Sequence, residues 1–277
     1  MLSEFLNKEY CDPSKLSAQY QHNNPFPHIV MPNFLHSEIL DQVLAEFPNL
    51  KDADVDKRVI FGNEREIKFA SKGIDLISPA AFKLISFLNS EWFLRYLQEI
   101  TGIKETLIAD PYLAGGGYHQ IFRGGLLKIH ADFNKHPSIN FDRRLNLLLY
   151  LNKDWDEEWG GDLQLFDESM QKPIQRVYPH FNTCVVFTTT SKTYHGHPDP
   201  IQCPDSVSRR SIALYYFSVG RPKEESNKEH STLFKAREDE TFAPERKDYR
   251  IIKAAKNTVK TFAPPAVVAT IKKILKR

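Results

Sequence analysis

Three histidines in the chain are followed two residues later by an acidic residue, a spacing that suits a shared metal ion on a β-strand. These pairs are His36 with Glu38, His130 with Asp132, and His197 with Asp199. Residues two apart on a strand project from the same face, with Cα atoms about 6.6 Å apart. Only His130 and Asp132 lie in a strand-like run, LLKIHADF, whose alternate face is apolar. We therefore predict that His130 and Asp132 point together into the interior as metal ligands.

A third ligand is expected in TYHGHP, the segment that follows the strand-like run NTCVVFTTT. His195 and His197 are both candidates, although Pro198 and Pro200 disfavour a paired strand around His197. Two histidines and one carboxylate that leave coordination positions open are typical of non-haem iron(II) oxygenases. The alternative is that His130 is a core histidine hydrogen-bonded to Asp132, and spacing alone favours that alternative.

The run SRRSIALYYF offers a partner for an anionic ligand. Its alternation places Arg209, Ser211, Ala213 and Tyr215 on one face, and Arg210, Ile212, Leu214 and Tyr216 on the other. A guanidinium beside two small side chains leaves room for a carboxylate bound through paired hydrogen bonds. The alternative is an arginine pair at the surface end of a strand.

Strands must position these residues. After Asp110, six short runs rich in aliphatic and aromatic residues follow one another without a helical pattern. They are YHQIF, LLKIHADF, RLNLLLYLN, GDLQLFD, NTCVVFTTT and RRSIALYYFSV. This pattern predicts an antiparallel sandwich or jelly roll.

Helices are expected before that sheet. The first twenty-odd residues are polar and are predicted to be irregular, and FPHIVMP is predicted to be an edge strand. A helix capped by Ser37 is predicted to end at Pro48, and residues 51–75 to form a loop with short strands. The apolar spacing over residues 79–100 predicts two helices that meet near Asn89 and Ser90, with Gly102 ending the second.

Four segments in order, HADF, RRLNLLLYLNKDWDEEWGGDLQLF, YHGHPDP and SRRSIALYYF, resemble the iron(II)- and 2-oxoglutarate-dependent dioxygenases of the prolyl 4-hydroxylase type. The resemblance covers about Tyr118 to Pro222, and NPFPHIVMPNFL before a helix is similar to the start of the family's domain. It implies a mainly β fold with flanking helices: a double-stranded β-helix (jelly roll) core supported by N-terminal helices. The expected oxygenase domain is 1–222, with the core at about 110–222 and helical support at about 25–105.

The same resemblance assigns roles to residues. It implies that His130, Asp132 and His195 hold iron, and that Arg209 and Tyr150 bind the distal carboxylate of 2-oxoglutarate. Asn146 lies on the face of Tyr150 and is expected to line the same pocket. Gln120 departs from the pattern of the oxygen-sensing relatives, which have a tyrosine there, and Tyr118 can substitute if the strand register differs. The other pocket candidates are Ser211, Ala213, Tyr215 and His197.

The implied reaction uses Fe(II), 2-oxoglutarate and O2, with ascorbate as a further candidate cofactor, and hydroxylates an aliphatic carbon. A prolyl residue of a peptide or protein is one substrate class, and a small metabolite or a sugar-containing molecule is equally compatible with the residues. A jelly roll that binds without turnover is the second function class. Intact residues at the four key positions, His130, Asp132, His195 and Arg209, argue against it.

The net charge of +2 combines two unlike parts. Residues 246–277 carry ten basic side chains and one acidic side chain, +9, whereas the other 27 basic and 34 acidic residues give −7. We expect residues 223–277 to form a charged linker and a basic helical tail that contacts its own domain, a partner or a membrane surface. No nucleic-acid partner is expected. Three scattered cysteines and the lack of an apolar leader favour a reducing, cytoplasmic location.

Overall fold

The structure is a computed structural model that describes residues 2–225, 228–238 and 240–242. Residues Met1–Glu240 form one compact unit, and a second unit begins at Thr241. The predicted basic tail at residues 246–277 lies outside the described residues. Among the residues described, no helix is long and apolar enough to span a bilayer.

Thirteen strands form one sheet within the described part of the chain. They are β1 (His28–Met31), β2 (Arg58–Asn63), β3 (Glu66–Ser71), β4 (Ile108–Ala109), β5 (Gly117–Ile121), β6 (Leu126–Ala131), β7 (Asp142–Tyr150), β8 (Leu163–Phe166), β9 (Gln175–Val177), β10 (Cys184–Thr188), β11 (Tyr194–His197), β12 (Arg209–Ser218) and β13 (Leu233–Phe234). The main path runs β1-β10-β7-β12-β5-β3-β6-β11-β8-β9, with antiparallel pairing along it. Each of the six predicted runs contains a strand, and β1 lies at the edge as its flanking prolines predict.

Four α-helices precede the core strands: α1 (Ser14–His22), α2 (Ser37–Ala45), α3 (Pro79–Leu88) and α4 (Glu91–Thr101). The two helices predicted to meet near Asn89 are confirmed, because the Ser78 and Ser90 side chains cap α3 and α4, and Gly102 ends α4 in the left-handed conformation. The expectation that Ser37 caps α2 was wrong, since His36 occupies the cap position.

The start of the chain also differs from the prediction. Residues 14–22 form α1 instead of an irregular segment, and this helix buries Leu16 and Tyr20. These two residues lie four apart, on one side of a helix, among mostly polar neighbours. Two positions were too few to give a helical pattern in the sequence.

The helices pack on one face of the strands β7 and β12. That face carries Leu145, Leu147, Leu149, Ile212, Leu214 and Tyr216, which share one apolar cluster with residues of α3 and α4. Tyr216 donates a hydrogen bond of 3.0 Å to the Leu88 carbonyl at the end of α3. Because strand residues alternate between faces, the opposite face of β12, which includes Arg209, is left for the site.

Residues beyond the predicted boundary at Pro222 belong to the first compact unit. Strand β13 pairs with the second half of β6, with Leu233 opposite Ala131 and Phe234 opposite His130. The Lys235 amide extends this pairing by donating to the Ile129 carbonyl. The compact unit therefore runs to Glu240 instead of ending at the boundary expected from composition.

Candidate metal centre

His130, Asp132 and His195 form a buried cluster of three candidate metal ligands. Strands β6 and β11 are neighbours that place His195 directly opposite His130, and Asp132 immediately follows β6. One ligand atom from each side chain lies within 4.8 Å of those from the other two. The cluster contains His195 and not His197, so the geometry favours His195 for the third position.

The hydrogen bonds of both histidines turn the other ring nitrogen into the cluster. Nδ1 of His130 lies 2.8 Å from the Lys128 carbonyl, and Nδ1 of His195 lies 3.1 Å from the Thr193 carbonyl. A carbonyl only accepts, so each Nδ1 donates its hydrogen and each Nε2 is the nitrogen left for a metal. Those Nε2 atoms face the Asp132 carboxylate at 3.6 and 3.3 Å. Two imidazole nitrogens and a carboxylate that converge at these distances fit a site built for a cation.

Asp132 is held by two neighbours from β7. The Asn146 amide donates a hydrogen bond of 2.6 Å to Asp132 Oδ2, and the Arg143 guanidinium lies 3.2 Å from the same oxygen. Burial raises the pKa of Asp132, but the charge of Arg143, together with the contacts to the two histidines, outweighs burial and holds the pKa well below its usual range. The carboxylate is therefore ionised, as a metal ligand must be.

Arg143 and Tyr215 make this support rigid. The Arg143 side chain is fully buried and donates to Asn146 Oδ1 through Nε and Nη2. Its guanidinium stacks 3.5 Å from the Tyr215 ring centroid, and the Tyr215 hydroxyl donates to the Gly115 carbonyl at 3.0 Å. Burial raises the pKa of Tyr215 to about 12. Asn146 and Tyr215, both predicted to line a ligand pocket, therefore contact the support of Asp132.

Arg209 and Tyr150 meet on the same face, as the strand alternation predicts. Arg209 donates through Nη2 to the Tyr150 hydroxyl at 3.2 Å and through Nε to the Gly161 carbonyl at 2.7 Å. Strand pairing sets Ser211 opposite Tyr150, and Ala213 lies two residues farther along β12. Burial raises the pKa of Tyr150, against the influence of Arg209, so the hydroxyl stays protonated. A guanidinium, a phenol and two small side chains on one buried face suit a carboxylate ligand.

Tyr118 and Gln120 correct the prediction, because both lie on the helix side of β5. Tyr118 hydrogen-bonds Ser78, the cap of α3, at 2.9 Å. The Gln120 carbonyl oxygen accepts from the Leu50 amide, and its amide group donates to the Ser208 hydroxyl. Neither residue lines the site, since the register of β5 turns the residue between them to the other face.

That residue is His119, which pairs opposite Ser211 on β12. Its Nε2 donates to the Gly115 carbonyl at 3.1 Å. Burial, then the charge of Lys68, lowers the pKa of His119 to about 3, and Arg209 adds to this lowering. Alternation along the strand-like run YHQIF puts Tyr118 and Gln120 on one face and His119 on the other. The pairing of His119 with Ser211 shows that His119 is on the face of Arg209, and this register cannot be read from the sequence.

His197 lies in a paired strand, contrary to the expectation from its flanking prolines. It ends β11 and pairs opposite Leu127, while an extra residue on β6 shifts the register between His195 and His197. The strands approach closely here, because a Cβ on Gly196 would lie 2.6 Å from the Leu127 carbonyl oxygen. Glycine between the two histidines therefore permits the pairing that proline was expected to prevent.

Comparison with known proteins bears on this geometry. The family model of the 2OG-Fe(II) oxygenase superfamily matches residues 116–217, the segment that supplies His130, Asp132, His195 and Arg209. The family resemblance expected from the four sequence segments is confirmed over these residues. The expected cofactors, Fe(II) and 2-oxoglutarate, agree with the family that this segment matches and with the cluster of His130, Asp132 and His195.

The sequence relatives that match this chain are longer than it is. The chain is 25% identical over 209 residues to prolyl 3-hydroxylase OGFOD1 of Xenopus laevis, covering 72% of this chain and 36% of that protein. It is 25% identical over 232 residues to prolyl 3-hydroxylase OGFOD1 of Mus musculus, covering 79% of this chain and 39% of that protein. The chain therefore spans less than two fifths of the length of these relatives.

Solved structures share this fold. A prolyl 4-hydroxylase from Pseudomonas putida superposes with a TM-score of 0.54 at 14% identity, covering 76% of this chain and 100% of that chain. A prolyl hydroxylase from Trichoplax adhaerens, solved with a hypoxia-inducible-factor peptide, has a TM-score of 0.50 at 19% identity, covering 74% of this chain and 89% of that chain. The mainly β jelly-roll prediction is confirmed.

The sequence pattern did not mark Arg143 as part of this site. Alternation from Tyr150 through Asn146 selects Arg144 as the next residue on that face. The register of β7 and β12 shifts between Tyr216 and Phe217, however, and this irregularity turns Arg143 to the site instead. Arg144 pairs with Glu105 at 2.7 Å. No signal in the sequence marked the bulge.

Proposed function

We propose that this oxygenase hydroxylates an aliphatic C–H bond, with Fe(II) held by His130, Asp132 and His195. The observation that carries the proposal is the convergence of two histidine Nε2 atoms on an ionised, buried carboxylate. Two histidines and one carboxylate leave open positions on Fe(II) for a chelating cosubstrate and for oxygen.

The chain's own residues position and protect this chemistry. Asn146 and Arg143 fix the carboxylate of Asp132, and Arg209 with Tyr150 would take the distal carboxylate of 2-oxoglutarate. The Phe187 ring centroid lies 4.7 Å from that of His195, and this packing helps to exclude water. Bound Fe(II) would supply the site at which O2 oxidises 2-oxoglutarate to succinate and CO2. One oxygen atom of O2 would enter succinate and the other the new hydroxyl group.

A prolyl residue in a peptide or protein is the substrate class that we propose first. The support is the similarity to two prolyl 3-hydroxylases, which extends over 72% and 79% of this chain. A small metabolite is the competing substrate class. The assay separates the two classes by whether the peptide or the small molecule gains the oxygen atom.

Aerobic turnover of the purified full chain tests both steps of the proposal. With Fe(II), 2-oxoglutarate and proline-containing peptides, we expect iron-dependent succinate and a peptide heavier by one oxygen atom. His130→Ala should abolish both products, whereas His180→Ala, at a half-buried histidine that pairs with Glu157, should leave them unchanged. Absence of iron-dependent succinate from the wild type would refute the enzyme proposal. Succinate coupled only to small-molecule hydroxylation would refute the prolyl substrate.

A further inference from the structure

His197 is a buried polar side chain that the proposed reaction leaves without a role. It is 4% exposed, and neither Nδ1 nor Nε2 has a hydrogen-bond partner among the described residues. A buried polar group without a partner destabilises the folded state. Nη1 of Arg143 is a second such atom near the cluster, but Nε and Nη2 of that guanidinium are already engaged. In the part of the chain that the structure describes, the His197 ring has no bond on either nitrogen.

Strand pairing places His197 close to the end of the site that holds Arg209. Antiparallel pairing sets His195 opposite Leu165 and Gly196 opposite Gln164, so the next position along β11, His197, lies beside the start of β8. Gly161, two residues before β8, accepts the Nε hydrogen bond of Arg209. The extra residue of the pairing between β11 and β6 lies on β6, and β11 keeps its register with β8 from Tyr194 to Gly196. Alternation along β11 therefore places His197 on the face that carries His195.

The charges around His197 favour an anion. Arg209 and then Lys68 are the charged groups that act most strongly on the ring, ahead of His130. Lys68 lies 2.9 Å from Glu66, whereas the hydrogen bonds described for Arg209 go to an uncharged hydroxyl and a carbonyl. A ligand carboxylate that pairs with Arg209 would also give a ring N–H of His197 an acceptor.

We propose that His197 is a further binding residue for 2-oxoglutarate, whose distal carboxylate accepts a hydrogen bond from the His197 ring while it pairs with Arg209 and Tyr150. This inference rests on the proposed function. It assigns the second histidine of the HGH segment to the cosubstrate and the first to the metal.

Two ligands that differ only at the distal carboxylate test the contact. 2-Oxoglutarate and 2-oxopentanoate share the 2-oxo acid group that chelates a metal, but 2-oxopentanoate has a methyl group in place of the distal carboxylate. We would measure the affinity of both ligands for the Mn(II)-loaded full chain by calorimetry, in the wild type, His197→Leu and His197→Gln. Mn(II) affinity without either ligand is measured on the same variants.

In His197→Leu we expect 2-oxoglutarate to bind about tenfold more weakly, the effect of one lost hydrogen bond to a charged group. The affinities for 2-oxopentanoate and for Mn(II) should stay within about twofold of the wild type, since neither ligand reaches the His197 ring. His197→Gln keeps a side-chain donor and should recover most of the 2-oxoglutarate affinity. Unchanged 2-oxoglutarate affinity in His197→Leu, or an equal loss for both ligands, would overturn the proposal.

A measurement on the wild type covers the case in which His197→Leu does not fold. In protein labelled with ¹⁵N histidine and loaded with Zn(II), the NMR signal of the His197 ring should shift when 2-oxoglutarate is added and not when 2-oxopentanoate is added. Equal shifts with the two ligands, or a shift with 2-oxopentanoate alone, would overturn the contact. Failure of the wild type to bind either ligand would refute the proposed function itself. If the wild type binds both ligands and His197→Leu keeps the same preference for 2-oxoglutarate over 2-oxopentanoate, only the role of His197 is refuted.

Discussion

At the residue scale, the site depends on neighbours that hold a ligand without touching the metal. Asn146 donates to Asp132 and accepts from Arg143, so one amide links the carboxylate to a fully buried cation. Partners of this kind fix the orientation of a ligand, and their loss typically weakens metal binding about 10- to 100-fold.

Replacing Asn146 tests this linkage. Asn146→Leu keeps the size of the side chain but removes its hydrogen bonds with Asp132 and Arg143, and we expect Mn(II) affinity measured by calorimetry to fall by about tenfold or more. Asn152→Leu is the control, because Asn152 is also buried but donates to the Pro179 and Arg210 carbonyls, away from the cluster. Equal Mn(II) affinities in the two variants would contradict the role of Asn146.

His119 gives the fold a pH dependence whose sign is determined by its pKa. An unfolded histidine takes up a proton near pH 6.5, whereas burial and Lys68 lower the pKa of His119 to about 3 in the folded chain. The unfolded state therefore binds more protons between these values, so the stability that His119 contributes is complete above about pH 6.5 and is lost as the pH falls toward 3.

Urea unfolding of the metal-free protein at several pH values measures this effect. In His119→Gln, the slope of the unfolding free energy against pH, over the range from about 6 to about 4, should decrease by about 1.4 kcal/mol per pH unit. His22→Gln, at an exposed position on α1, should retain the wild-type slope. A wild-type slope in His119→Gln would show that its burial does not control the proton uptake.

At the element scale, the close approach of β11 and β6 sets the position of both histidines of the HGH segment. Gly196→Ala would place a Cβ 2.6 Å from the Leu127 carbonyl oxygen and 2.9 Å from that of Lys128, so the strands must separate. We expect a lower melting temperature and about tenfold weaker Mn(II) binding, because His195 moves away from His130.

Gly62→Ala is the matched control for this close approach. Gly62 lies in β2, and no atom lies within 4 Å of the Cβ that alanine would add, so the substitution should change neither the melting temperature nor the Mn(II) affinity. Normal Mn(II) binding by Gly196→Ala would contradict the pairing of β11 with β6.

Alternation predicted the elements well where strands are regular. It separated Arg209 from Arg210 and the site face of β12 from its helix face, because period-two patterning follows directly from burial on one side. It failed at irregular pairings. The shifts beside Arg143 and His197 depend on backbone contacts between strands distant in the chain, and local patterns carry no information about them.

At the scale of the whole molecule, the jelly roll was predictable and its extent was not. Six runs with strand character and the joint order of HADF, YHGHP and SRRSIAL indicate the fold class. The charged composition after Pro222 indicated a linker, yet residues 228–238 contact the sheet through the pairing of β13 with β6 and through ion pairs such as Arg237 with Asp199. Charged side chains do not prevent an edge strand from forming.

Metal binding should stabilise the folded chain, because the candidate ligands come from the β6 and β11 segments, which are distant in sequence. A ligand that binds only the folded state, at about 100 times its dissociation constant, adds about 2.7 kcal/mol to the unfolding free energy. We expect Mn(II) to raise the melting temperature of the wild type and not that of Asp132→Ala. A similar rise in both proteins would place the ion elsewhere.

The central claim is that one Fe(II) binds at His130, Asp132 and His195 together with 2-oxoglutarate. Anaerobic optical titration of the metal-free full chain with Fe(II) and 2-oxoglutarate tests it most directly, since a chelated 2-oxo acid gives Fe(II) a visible charge-transfer band. We predict a band that saturates at one equivalent of Fe(II), requires 2-oxoglutarate and is absent in His195→Ala. No band in the wild type, or an equal band in His195→Ala, would contradict the claim.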